Sequence, residues 1–64
     1  MRLYCDNLGD FLSGKLKFYT IDSGYASQGD VVTLYNEETE GLFEVIYTIQ
    51  HDYNRLTLGL GLVE

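Results

Sequence analysis

The sequence predicts one small, mainly β domain over residues 1–64, with about five strands curled toward a barrel and one short helix near the N-terminus. Three observations carry this expectation. Apolar and polar residues alternate with period two from Lys15 to Ile21, Leu42 to Gln50 and Arg55 to Val63. Clusters of Gly, Asn, Asp and Ser separate those runs, and the chain contains no proline. One short apolar set, Leu8, Phe11 and Leu12, has the i, i+3, i+4 spacing of a helix.

The elements follow in order. Arg2 to Cys5 reads as a short first strand. Asp6 or Asn7 can cap one or two helical turns that end at Gly14, with Gly9 weakening the helix. In the next strand, Leu16, Phe18 and Thr20 share one face and Lys15, Lys17, Tyr19 and Ile21 the other, one of the two being buried. Asp22 to Asp30 contains two glycines and small polar residues, so it reads as a loop. Val31 to Tyr35, rich in β-branched and aromatic residues, is the third strand. A polar turn, Asn36 to Gly41, joins it as a hairpin to Leu42–Gln50. There the expected shared face is Phe43, Val45, Tyr47 and Ile49. His51 to Asn54 reads as a turn, and the last strand points Leu56, Leu58, Leu60 and Leu62 inward. Gly59 and Gly61 on its opposite face favour strong curvature, with a flat edge strand as the competing reading.

Size and composition bound the function. Sixty-four residues with 45% apolar and 14% aromatic content can bury a thin core, and self-association would add stability. Cys5 is the single cysteine, so no internal disulfide can form, and a reducing cytoplasm is the expected compartment. The N-terminal residues lack the apolar run of a signal peptide, and no segment approaches the roughly 20 apolar residues of a membrane span. Ten acidic against four basic residues give a net charge of −6. Phosphate backbones are held by Lys and Arg, so an extended nucleic-acid footprint is excluded. Lys15 and Lys17, alternating on one strand, offer at most a two-lysine patch.

At Ser13-Gly14-Lys15 and Gln28-Gly29-Asp30-Val31 the chain resembles the ASCH superfamily of the PUA-like fold, and in particular small ASCH-like proteins common in phages. The resemblance extends to Glu40-Gly41 at the hairpin turn, Val45-Ile46-Tyr47-Thr48-Ile49 and Leu58-Gly59-Leu60-Gly61-Leu62, covering roughly residues 8 to 64. It implies a PUA-like β-barrel and an RNA- or nucleotide-binding module. The chain departs at the charged positions. Leu16 stands where the family usually has a second lysine, and Tyr19 and Ile21 where it has an acidic residue and an arginine. The resemblance therefore implies the fold more strongly than the ligand.

Candidate sites are few. His51-Asp52 could support acid–base chemistry, but adjacent strand residues point to opposite faces, which favours a solvated turn. Cys5 with one histidine makes too few soft ligands for a zinc site and reads as a core residue. Glu37, Glu38 and Glu40, with Glu44 nearby, read as a solvated hairpin tip, a hard-cation site or an acidic recognition surface; no catalytic, metal or cofactor residue is assigned. The tyrosines can cap the core with wet hydroxyls or serve as contacts, Tyr25 in the long loop being the foremost.

The expected function is a small acidic, non-enzymatic interaction protein that binds another protein through Tyr35, Glu37, Glu38, Glu40 and Glu44. A phage-encoded inhibitor of a host nucleic-acid- or nucleotide-handling factor fits that description, its carboxylates mimicking phosphates. The alternative is an RNA- or nucleotide-binding ASCH-type module. It would use Lys15, Lys17 and Tyr25 in a cleft between the Ser13–Lys17 turn and the Asp22–Asp30 loop.

Overall fold

The computed structural model describes residues 1–63; Glu64, the last residue of the expected domain, lies outside them. Five strands, β1 (Arg2–Tyr4), β2 (Phe18–Ile21), β3 (Val31–Tyr35), β4 (Glu40–Asp52) and β5 (Arg55–Leu62), form one sheet in the order β1-β3-β4-β5-β2. All pairings are antiparallel except β1 with β3. The sheet curls into a half-barrel, with β1 and β2 as its edges. The only helix among the described residues is α1 (Leu8–Leu12).

The inner face of the sheet holds the core. Val32, Leu34, Phe43, Val45, Leu56, Leu58, Leu60 and Ile21 are buried there. Leu8 and Phe11 from α1, with Cys5 and Ala26, complete the cluster, and Leu3, Leu16 and Tyr19 pack against it. Tyr19 on β2 donates its hydroxyl proton to the Tyr4 carbonyl on β1 at 2.7 Å, so the two edge strands are tied across the open side.

The turns carry their own chemistry. Asn36 Oδ1 accepts the N–H groups of Glu38 and Thr39, both at 2.9 Å, while the Asn36 N–H bonds the Thr39 carbonyl. This side-chain mimic of a backbone turn is why a polar stretch there gives a tight hairpin. At Ser27–Asp30 the Asp30 N–H returns to the Ser27 carbonyl, the Ser27 N–H bonds the Asp30 carboxylate, and Gly29 lies at φ +93°. After α1, the Asp10 carbonyl accepts the N–H groups of both Lys15 and Leu16, and Gly14 takes φ +81°.

Several expectations need correction. The second strand starts at Phe18, because the bonds to Asp10 hold Lys15 and Leu16 in the turn; Lys15 and Lys17 do not alternate on a strand. Of the two faces the alternation left open, the buried one on β2 carries Tyr19 and Ile21, while Phe18 and Thr20 face outward. The fourth strand is longer than expected, running from Glu40 to Asp52, so His51 and Asp52 belong to it and the turn is Tyr53-Asn54. A bulge lies between the pairs Val45↔Leu60 and Tyr47↔Gly59. One extra residue reverses the facing as far as Gln50, where the register shifts again, so Tyr47 and Ile49 are exposed on the outer face instead of sharing the side of Phe43 and Val45. Leu62, expected inward, is exposed where β5 outruns β2.

β5 is an interior strand, which disposes of the flat-edge reading of its glycines. A Cβ at position 59 would sit 2.5 Å from Cζ of Tyr47, and one at 61 would sit 3.1 Å from Cδ1 of Ile46. The glycines leave room for side chains from β4 to lie flat across the sheet.

Two substitutions test these assignments. Gly29→Val places a β-branched residue at positive φ and should cost about 1–3 kcal/mol in urea unfolding; unchanged stability would mean the turn is misassigned. Gly59→Ala should cost roughly 1–3 kcal/mol through overpacking against Tyr47. Adding Tyr47→Ala should recover part of that loss, seen as a non-zero coupling in a double-mutant cycle.

Candidate functional site

Curling around one face leaves the other bare. Across the outer face, successive rows contain Tyr4, Tyr35 and Glu40; Arg2, Thr33 and Leu42; Val31, Glu44 and Gly61; Phe18, Gly59 and Tyr47; then Thr20, Thr57 and Ile49. Phe18, Val31, Leu42, Ile46, Tyr47 and Ile49 are each 40–53% exposed, and no helix covers them. The Phe18 and Tyr47 rings meet edge-on at 6.1 Å above Gly59. Beside them a polar relay crosses three strands: His51 Nε2 lies 2.7 Å from Thr57 Oγ1, which lies 2.9 Å from Thr20 Oγ1. The relay accounts for the burial of Thr57, which period-two reasoning alone places among exposed residues.

One end of this face is acidic. Tyr35, Glu37, Glu38 and Glu40 surround a shallow depression of about 390 Å³ with Arg2, Asn36 and Thr39. Arg2 is engaged within it: its guanidinium lies 4.8 Å from the Tyr35 ring centroid and 3.6 Å from the Glu40 carboxylate. Tyr4 packs edge-to-face on Tyr35 at 5.7 Å and donates its hydroxyl proton to Glu37 at 2.5 Å. That bond holds the Glu37 carboxyl below its ordinary range and raises the Tyr4 hydroxyl, since it favours a charged acceptor and a neutral donor. Glu44 stands apart, opposite Val31 in the middle of the outer face.

On the β5–β2 side of the sheet an apolar groove of about 500 Å³ runs beside the end of β5. Leu12, Leu16 and Leu62 line one side, Phe18, Ile46 and Tyr47 the other, and Lys17 stands at its margin. The cleft expected between the Ser13–Lys17 turn and the Asp22–Asp30 loop is not where the cavity forms, because that turn faces β5. Of the three expected ligand contacts, Lys17 lines the groove, Lys15 is exposed in the turn, and Tyr25 is exposed on the loop away from the groove lining.

Sequence reasoning assigned Phe18 and Ile46 no contact role, and it placed Tyr47 on the side of Phe43. Their signal was present in Gly59 and Gly61, whose missing side chains call for large neighbours, but the bulge that supplies those neighbours has no compositional mark. Cys5 is buried, with its thiol 3.0 Å from Asn7 Oδ1, and burial pushes its pKa up. Among the described residues, no group of three His, Cys, Asp or Glu side chains could hold a metal ion, and no helix is long and apolar enough to cross a membrane.

The Tyr4–Glu37 pair gives a pH signature. The lowered Glu37 stabilises the fold above the ordinary glutamate range, and that contribution is lost as pH falls through its folded value. The raised Tyr4 contributes below about pH 10 and loses its contribution as pH rises through its higher folded value. The stability difference between the wild type and Tyr4→Phe should be flat near neutrality and shrink at both extremes. In a carboxyl NMR titration, Tyr4→Phe should move the Glu37 midpoint upward; an unmoved midpoint would show that the bond does not form in solution.

No protein-family model matches the chain. No curated protein matches it either.

Proposed function

We propose that this chain is a non-enzymatic interaction protein that docks the outer face of its sheet on a basic surface of another protein. The observation that carries this reading is the bare outer face itself: six large apolar side chains are exposed on one sheet surface, with an acidic, tyrosine-bearing end beside them. Apolar contact supplies affinity and the carboxylates supply steering and register. The Tyr4–Glu37 and Arg2–Glu40 contacts hold the acidic end in shape before a partner arrives, which lowers the ordering cost of binding. Excess negative charge suits a partner that handles nucleic acid or nucleotides, whose phosphate site the carboxylates would occupy. Together with the ASCH-like resemblance, this supports a phage-encoded inhibitor of such a host factor. The RNA- or nucleotide-binding reading ranks second: Lys17 beside the groove favours it, but the lining is apolar and Tyr25 is not part of it.

The test is affinity capture from bacterial lysate with and without nuclease, using the wild type and Glu37→Lys/Glu38→Lys. Both glutamates are exposed, so the exchange leaves the core untouched. A protein partner should survive nuclease and be lost, or weakened about tenfold or more, in the double variant. Recovery of RNA or nucleotide without a protein would overturn the proposal.

A further inference from the structure

β5 outruns its neighbour on one side. Toward β4 it stays paired to its end, with the Val63 N–H bonded to the Leu42 carbonyl at 2.9 Å. Toward β2 the last register pair is Phe18↔Gly59, and the last hydrogen bond among the described residues runs from the Leu60 N–H to the Lys17 carbonyl at 2.8 Å. Alternation of the ladder then aims the Leu62 backbone groups away from β4, into the 500 Å³ groove. A strand edge interrupted in this way is a template for another strand.

The groove is shaped for one. An extended segment laid against Leu60–Leu62 would turn alternate side chains to opposite sides of the sheet. One set would meet Leu12, Leu16 and Leu62, and the other Phe18, Ile46 and Tyr47. Charge selects the segment further. Lys15 and Lys17 flank Leu16 on this turn and make no ion pair among the described residues, whereas Arg2 and Arg55 are paired with Glu40 and Asp22. Of the two lysines, Lys17 lines the groove, and Lys15 is two residues away on the same turn.

We propose that the β5 edge is a strand-addition site for an extended peptide segment of a partner protein, apolar at alternate positions and acidic at its flank. The site lies beside the end of β5, on its β2 side, and shares no lining residue with the acidic patch.

The probe is a capped eight-residue peptide of alternating valine and threonine with two glutamates at one end, titrated into the full chain and followed by amide NMR. Shift changes should centre on Ser13–Lys17 and Leu60–Leu62, and exchange of the Leu62 amide should slow. N-methylation of alternate peptide nitrogens should abolish binding, since strand addition needs backbone hydrogen bonds. Exchanging the two glutamates for lysines should weaken it about three- to tenfold, the range expected of two exposed charge pairs. Lys15→Glu/Lys17→Glu, whose side chains are exposed and outside the core, should reverse that preference. Three results would overturn the proposal: undiminished binding of the N-methylated peptide, shifts confined to other surfaces, or no binding at millimolar peptide. Protection of the Leu62 amide that grows with protein concentration in the absence of peptide would also overturn it, by identifying a second copy as the occupant.

Discussion

A sheet accompanied, among the described residues, by a single five-residue helix buries its apolar face within one chain by curling around it. The rest of the molecule answers that requirement. Leu8 and Phe11 fill the concavity that a longer helix would otherwise cover, and β5 lies between β4 and β2, where curvature is shared on both sides. The curl brings β1 and β2 near enough for the Tyr19 hydroxyl to reach the Tyr4 carbonyl. A hydrogen bond of this kind contributes on the order of 1 kcal/mol. Its larger effect is geometric, since it fixes how far the half-barrel opens.

The same requirement separates the surfaces. With the inner face committed to packing, recognition falls to the outer face and the sheet ends, and the charges are distributed accordingly. Carboxylates gather at the β3–β4 turn, where Asn36 shapes the backbone and Tyr4 holds Glu37. The two lysines gather at the turn after α1, where the Asp10 carbonyl shapes the backbone. A chain of net charge −6 therefore presents two turns of opposite character, beside an apolar outer face.

Much of the architecture was legible in the residues. Val31–Tyr35 was read with its observed bounds, and the Leu8, Phe11, Leu12 spacing gave the helix, because each pattern reports a single local geometry. The candidate site was less legible. Phe43, Val45, Tyr47 and Ile49 alternate without interruption in sequence, yet the bulge puts two of them on each side of the sheet. A bulge is an event between strands, set by what the partner can accommodate, and β5 accommodates it with glycine. Lys15 and Leu16 depart from their strand pattern for a similar reason: the Asp10 carbonyl, back in α1, accepts both their N–H groups and holds them in the turn. The acidic cluster was legible in the local run of Glu37, Glu38 and Glu40 at the hairpin turn, but its contacts with Arg2 and Tyr4 were not, because those residues arrive from the far end of the chain through the parallel β1–β3 pairing.

The ring of Tyr47 resting over Gly59 links two positions twelve residues apart into one quantity of volume. A change at one is felt at the other. A side chain can grow at 59 only as one shrinks at 47, and a shrinking residue at 47 would also withdraw the neighbour of Phe18 and one wall of the groove. Sequence drift in this fold should therefore pass through paired changes at 47 and 59, and each such pair would reshape the binding surface while leaving the buried face of the barrel untouched.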